Sequence, residues 1–199
     1  IEFMDKIIDA GVTVFKIEGR ARSAEYVKKV ASCYRRAADA VIEGRYTPEL
    51  ASALKGELSE VFNRGFWDGY YQGAKLGEWS EVYGSRSTRK KVYTGKVTNW
   101  FAKLGVAEIL IESAPLKVGD RILIMGPTTG VVETTVKEIR VDLKPVDAAE
   151  KGTYCSVPID FTQDVDRLKD VADSKDDAAE GRVTRLRRSD KVYIWAEER

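Results

Sequence analysis

Histidine is absent from all 199 residues of the sequence. Histidine is the usual general base of enzymes and the commonest protein ligand of metal ions. Its absence excludes Ser–His and Cys–His nucleophiles within this chain, and it excludes a zinc site of the His-Glu-x-x-His type. Any chemistry carried by these residues alone would depend on carboxylates or lysines.

Cysteine and long apolar runs are also scarce. Cys33 and Cys155 stand far apart, so neither a disulfide framework nor a four-cysteine metal site is available. No apolar run approaches the roughly 20 residues of a membrane helix, and no signal segment opens the chain. We therefore expect a protein of the reducing cytoplasm with no membrane partner.

The 33 basic and 32 acidic side chains nearly cancel, which predicts no strong general attraction to nucleic acids.

Residues 1–76 alternate helical and strand patterns. Apolar residues at three- and four-residue spacing, bounded by Gly11, Ser23 and Gly44, indicate helices. Residues 12–17, with the sequence VTVFKI, are β-branched and aromatic, and they predict a buried strand. This succession is typical of an α/β unit. The predicted helices cover residues 1–10, 23–44 and 47–63.

Residues 77–91 lack periodicity and mix glycine, serine and basic residues, which is typical of an interdomain linker. Beyond this linker the pattern changes to short strands with a period of two, which predicts a closed or nearly closed barrel over residues 92–199. A charged segment, residues 161–190, is too long for a simple turn and reads as an insertion. The predicted strands are residues 92–100, 106–112, 121–125, 131–141, 153–159 and 192–195.

Residues 15–27, FKIEGRARSAEYV, resemble the Lys-Ile-Glu-Gly-Arg strand end and following helix of the U32 (collagenase-like) peptidases. Tyr34-Arg35 and residues 62–73, FNRGFWDGYYQG, fall where that family has a tyrosine-arginine pair and an arginine-glycine-phenylalanine turn. The later residues are similar to the barrel that forms domain 2 of elongation factor Tu, through Gly95-Lys96-Val97, PLKVGD at 115–120 and IMGPTTG at 124–130.

The resemblance implies an α+β arrangement. Residues 1–76 would be the end of an α/β (TIM-like) barrel catalytic domain, mostly helical here, and a small antiparallel β-barrel would follow. The cysteine signature of the family and most of its N-terminal α/β barrel have no counterpart in this sequence. The chain is therefore expected to begin inside that domain and to be catalytically incomplete. No catalytic or metal-binding residue is predicted, and the cofactor and oligomeric state stay open.

Four polar residues are predicted to bind substrate. Side chains alternate along a strand, so Lys16 and Glu18 share a face. In an α/β barrel the strand's C-terminal end forms the active-site rim, with Arg20 just beyond it. Arg64, beside Gly65, can bind a carboxylate or phosphate in bidentate fashion. The alternatives are a structural Lys16–Glu18 ion pair and an Arg64 side chain that caps the preceding helix.

Three functional hypotheses remain. The first is an accessory barrel that positions a protein or peptide substrate for a U32-family peptidase. The second is a tRNA-binding module of a U32-like tRNA-modifying enzyme, and the third is a domain-packing or oligomerisation surface. The second draws on a basic and aromatic group that suits RNA: Arg86, Arg89, Lys90, Lys91, Tyr93, Trp100 and Phe101. The alternative for this group is a solvated linker.

Overall fold

The computed structural model describes residues 1–71, 73, 84–161 and 185–197. The chain divides into a helical unit, Ile1–Arg89 with Glu197–Arg199, and a β unit, Lys90–Ala196. No helix in the described ranges combines the length and apolar character that a membrane crossing requires. Much of the predicted linker and most of the predicted insertion at 161–190 lie outside the described residues.

The helical unit contains the three predicted helices, α1 (Met4–Asp9), α2 (Ala24–Ile42) and α3 (Pro48–Ser59). Thr47 caps α3, because its Oγ1 accepts a hydrogen bond from the backbone N–H of Leu50 at 3.2 Å and a proline occupies the first turn. The apolar stripes of the helices meet in one core. Its buried members are Met4, Val30, Cys33, Ala37, Leu54, Leu58 and Val61.

The strand predicted over residues 12–17 is absent from the helical unit. The segment is extended but unpaired; Val14 is 81% exposed, and Phe15 and Ile17 are each 37% exposed. A β-strand forms when a neighbouring strand completes its backbone hydrogen bonds. Among the described residues no strand pairs with this segment. Its composition is suited to burial, but no described strand covers it.

The β unit is built around an eight-stranded sheet, with strands in the order β5-β4-β10-β1-β2-β9-β6-β7, and a separate pair, β3-β8. The recorded strand pairings are antiparallel, and together with the helices they make the chain α+β, as predicted. The strands are β1 (Arg89–Phe101), β2 (Val106–Ile111), β3 (Leu116–Lys117), β4 (Arg121–Gly126), β5 (Gly130–Thr135), β6 (Ile139–Val141), β7 (Lys144–Val146), β8 (Ala148–Ala149), β9 (Tyr154–Pro158) and β10 (Lys191–Glu197).

A closed or nearly closed barrel was predicted, and the strands of the described residues do not close into one. Closure requires the two outer strands of the sheet to share a hydrogen-bond ladder, and β5 and β7 are not paired with each other. β7 has only three residues, two of them exposed, so it offers little backbone for such a ladder. Over the described residues the sheet is therefore open.

Alternating residues of the β unit point into one core. Ile109 and Ile111 of β2 and Val97 of β1 are at most 1% exposed. Gly95 lies opposite Ile111 in the β1–β2 register, and a Cβ at this position would clash with the carbonyl oxygen of Leu110. Glycine is therefore what lets β1 and β2 approach so closely here.

Candidate substrate-binding site

Gly19 and Ala21 shape the loop between the extended segment, residues 12–17, and α2. A Cβ on Gly19 would lie 2.9 Å from Cγ2 of Val27, so glycine allows the loop to pack against α2. Ala21 adopts a left-handed conformation with φ of +56°, which costs a non-glycine residue roughly 1 to 2 kcal/mol. The backbone N–H of Arg22 donates to the carbonyl of Gly19 at 3.0 Å. This turn places three charged residues, Glu18, Arg20 and Arg22, on one short loop.

Glu18 and Arg20 are brought together on this loop. The backbone N–H of Arg20 donates to Oε1 of Glu18 at 2.6 Å, and the guanidinium lies 4.0 Å from Oε2. The side chains are 61% and 89% exposed respectively, so the pair contributes little to stability. Lys16 is also exposed. The predicted alternative, a Lys16–Glu18 ion pair, is not among the ion pairs recorded for the described residues.

Arg64 lies in the turn that follows α3. Asn63 shapes this turn: its Nδ2 donates to the carbonyls of Ser59 at 3.2 Å and Val61 at 3.0 Å, and its Oδ1 accepts from the backbone N–H of Gly65 at 3.1 Å. Asn63 thus provides a cap for the end of α3. The guanidinium carbon of Arg64 lies 6.0 Å from the ring centroid of Phe62.

Arg22 connects the loop to this turn. Its guanidinium carbon lies 3.8 Å from the centroid of the Phe62 ring and 5.9 Å from that of Tyr26. Arg22 and Arg64 therefore share one aromatic ring. Neither Arg22 nor Phe62 was predicted as a site residue. The sequence offered two signals that could have identified them: Arg22 stands two positions after Arg20, and Phe62 stands two positions before Arg64.

The position of the arginines is electrostatically unfavourable for helix α2. Arg20 and Arg22 directly precede the helix, and positive side chains near a helix N-terminus oppose its macrodipole. Ser23 does not compensate as a side-chain cap, because its hydroxyl oxygen accepts no hydrogen bond from the backbone N–H groups of the first turn; the hydroxyl donates to Oε1 of Glu25 at 2.5 Å. Helix stability therefore does not explain two arginines in this loop.

The two thiols are inert. Cys33 and Cys155 are buried and unpaired, and burial raises the pKa of each thiol to about 12. Both thiols stay protonated at neutral pH, whereas thiolates are the reactive form. Within the described ranges no cluster of three or more potential metal ligands occurs.

The structure divides the basic and aromatic residues that were grouped as an RNA surface. Arg89 lies 3.4 Å from Glu60 within the helical unit. In the β unit, Nζ of Lys91 lies 5.2 Å from the Tyr193 ring centroid, and Tyr93 packs edge-on against the same ring at 5.5 Å. Trp100 packs instead against Phe161. The cluster that the contacts support is Lys91, Tyr93 and Tyr193.

Comparison with known proteins identifies relatives named as proteases and relatives named as tRNA hydroxylation proteins. Residues 1–81 match the model of Peptidase family U32. A collagenase from Porphyromonas gingivalis is 53% identical over 159 residues, which are 80% of this chain and 38% of the collagenase. The tRNA hydroxylation protein P of Haemophilus influenzae is 27% identical over 150 residues, which are 75% of this chain and 32% of that protein.

Among solved structures, the C-terminal domain of a Geobacillus thermoleovorans putative U32 peptidase aligns with 51% of this chain and 90% of its own, at 12% identity and a TM-score of 0.38. The chain spans less than half of the length of the collagenases that it matches.

Proposed function

We propose, from the membership of this chain in peptidase family U32, that it is a C-terminal part of a U32-family peptidase and helps to bind a protein or peptide substrate. Lys16, Glu18, Arg20 and Arg64 would contact the substrate, and the β unit would position it. The observation that carries the proposal is the family match over the residues that present the exposed Glu18–Arg20 pair.

We also propose that residues 12–17 act as a strand of an α/β barrel in the longer protein. The segment is extended, rich in β-branched residues, and exposes Val14, Phe15 and Ile17, which are side chains that favour burial. Neighbouring strands supplied by the longer protein would cover them. Lys16 and Glu18 would then lie at the C-terminal rim of the barrel, where barrel enzymes bind their substrates.

The test is a comparison of the full-length parent protein with its Glu18→Gln variant on gelatin and casein. We expect activity to fall by about tenfold or more, because the variant loses the carboxylate that is proposed to contact the substrate. The melting temperature should stay within a few degrees, roughly the shift that 0.5 kcal/mol produces, because Glu18 is exposed and weakly paired in this structure. The present chain alone should show no turnover. Unchanged proteolysis by the variant would refute the assignment of Glu18.

A second candidate function is tRNA binding. It is favoured by the tRNA hydroxylation protein that aligns with 75% of this chain and by the Lys91, Tyr93 and Tyr193 cluster. Lysines bind phosphates and accessible aromatic rings stack on bases, and the three side chains of the cluster are partly exposed. Binding of tRNA that weakens steeply with added salt, and that is reduced in Lys91→Gln, would favour this function over substrate positioning for proteolysis. Absence of tRNA binding at low salt would eliminate it.

A further inference from the structure

We infer that Arg22 and Arg64 form an oxyanion site beside the Phe62 ring and that this site binds the terminal carboxylate of a peptide. The inference rests on the proposed function, because it assigns a ligand group to the same loop and turn. It adds Arg22 and Phe62 to the residues that contact substrate. It also gives Arg64 a defined chemical role.

The geometry suits a carboxylate. Both guanidinium carbons lie within 6.0 Å of one ring centroid, so they are separated by no more than about 10 Å. At 3.8 Å the Arg22 guanidinium is in contact with the Phe62 ring. A guanidinium held against a ring keeps N–H groups available for a bidentate contact with an anion.

The contacts of Arg22 leave its charge without a carboxylate. Its recorded side-chain neighbours among the described residues are the Phe62 and Tyr26 rings, and no ion pair with a described carboxylate is recorded. Its loop contains the left-handed Ala21, and its charge opposes the macrodipole of α2. Strain and unfavourable charge in one loop are typical of residues retained for ligand binding rather than for stability.

A peptide carboxylate fits the surroundings better than a nucleic acid. Residues 1–71 contain 11 basic and 11 acidic side chains, so this unit lacks the excess positive charge on which phosphate-backbone binding depends. Exposed aromatic residues follow Arg64 in the chain: Phe66 is 46% exposed, Trp67 53% and Tyr70 56%. Such rings offer apolar contacts to the side chains of a peptide whose terminal carboxylate is held by arginine.

The test measures binding of a matched ligand pair to the present chain by calorimetry: N-acetyl-alanyl-phenylalanine as the free acid and as its amide. The amide lacks the charge that strengthens hydrogen bonds to arginine, so the free acid should bind about tenfold or more tightly than the amide. Arg22→Gln and Arg64→Gln should each remove that preference. Phe62→Leu, which keeps both arginines, should weaken binding of the free acid.

Arg45→Gln is the matched control. Arg45 follows the far end of α2, where it pairs with Glu43, and its replacement should leave binding unchanged. Circular dichroism of every variant establishes that it is folded. Equal binding of acid and amide, or equal losses in Arg22→Gln and Arg45→Gln, would overturn the inference. So would a single-stranded RNA oligonucleotide that binds through Arg22 while the free acid does not.

The two proposals fail separately. If the free acid does not bind but Glu18→Gln still lowers proteolysis by the full-length protein as expected, the oxyanion site is wrong and the proposed function stands. If the free acid binds through both arginines but the full-length protein cleaves no protein or peptide, the proposed function is wrong.

Discussion

Asp190 is a carboxylate enclosed in the β unit, where it is 2% exposed. Its Oδ2 accepts hydrogen bonds from Oγ1 of Thr129 at 2.6 Å and from the backbone N–H of Arg187 at 2.7 Å. A Cβ on Gly126 would clash with Oδ1 of Asp190, so glycine is needed beside it. Asp190 thereby joins the turn before β10 to the turn between β4 and β5, which is a structural role.

Replacement of Asp190 by alanine should strongly destabilise the β unit. The change leaves the Thr129 hydroxyl and the Arg187 N–H without their acceptor, and an unsatisfied group that is buried, as the Thr129 hydroxyl is, costs roughly 1 to 3 kcal/mol. Asp190→Asn retains an acceptor oxygen and should lose less. Urea denaturation followed by tryptophan fluorescence gives both values. Equal stability of the two variants would show that these hydrogen bonds do not support the fold.

Tyr93, Glu112 and Lys96 form a hydrogen-bonded group whose pKa values are linked. The hydroxyl of Tyr93 donates to Oε2 of Glu112 at 2.5 Å, and Nζ of Lys96 lies 2.7 Å from Oε1. The bond to Glu112, followed by burial, raises the pKa of Tyr93 to about 12. The bonds from Lys96 and then Tyr93 lower the pKa of Glu112.

Glu112→Gln should therefore lower the pKa of Tyr93 from about 12 toward the ordinary value of about 10. NMR titration of the tyrosine ring carbons measures this shift. Glu108→Gln is the matched control, because Glu108 accepts from Thr98 instead, and Tyr93 should keep its raised pKa in that variant. A pKa of Tyr93 that is unchanged in Glu112→Gln would contradict the assigned cause.

The same shifts set the pH range over which this group stabilises the fold. The raised pKa of Tyr93 gives a contribution that is complete below about pH 10 and is lost as the pH rises through about 12. The lowered pKa of Glu112 gives a contribution that is present above its unfolded pKa of about 4.3 and is lost as the pH falls through the lower folded value.

At the scale of elements, α2 and α3 are joined by a partly buried ion network. Glu57 accepts from Nη1 of Arg36 at 2.9 and 3.1 Å, and Lys29 lies 3.9 Å from Glu57 and 3.1 Å from Glu60. The side chains of Lys29 and Arg36 are only 11% and 14% exposed. Arg36, a poorly hydrated cation, therefore depends on Glu57, whereas Lys29 has Glu60 as its nearer partner and Glu57 as a second one.

Glu57→Gln should cost the helical unit about 2 kcal/mol. Breaking a fully buried pair costs roughly 3 to 5 kcal/mol and an exposed pair at most about 1, and Glu57 is 23% exposed. Glu43→Gln removes an exposed partner of Arg45 and should cost much less. Urea unfolding monitored by helical circular dichroism compares the two. A larger loss in Glu43→Gln would show that the network is not stabilising.

The sequence predicted elements well where their pattern was local. The stripes of α2 and α3 and most of the long strands lie close to their predicted bounds, because periodicity and caps determine them. The strand predicted over 131–141 is instead divided into β5 and β6. Between them, Val136 exchanges backbone hydrogen bonds with the 119–120 turn, a tertiary contact that no local pattern indicates.

Short or unpaired segments could not be predicted from local sequence either, because they depend on tertiary contacts. β3 and β8 have two residues each and exist only as partners of each other. Residues 12–17 have the composition of a strand but no described partner. For the candidate site, the family motifs at residues 15–27 and 62–73 identified the loop before α2 and the turn after α3. The contact between Arg22 and Phe62 joins residues 40 positions apart and is visible only in the folded structure.

At the scale of the molecule, each unit buries a core made of its own residues. The core of the helical unit is drawn from residues 1–61, and the core of the β unit is drawn from residues 97–194. Among the described residues, each core therefore consists of side chains of its own unit. Such independence is what allows a domain to fold alone.

We therefore propose that residues 90–199 fold as an autonomous domain when expressed without the helical unit. Its sheet and core remain intact on this division, because the pairings of β2, β4, β5, β6, β7 and β9 all lie within it. Cooperative thermal unfolding measured by circular dichroism and dispersed amide signals in NMR are the expected results. The complete chain serves as the control under the same conditions. A disordered or aggregated product, obtained while the complete chain remains folded, would show that the β unit depends on residues 1–89 for its stability and that the proposed domain boundary is wrong.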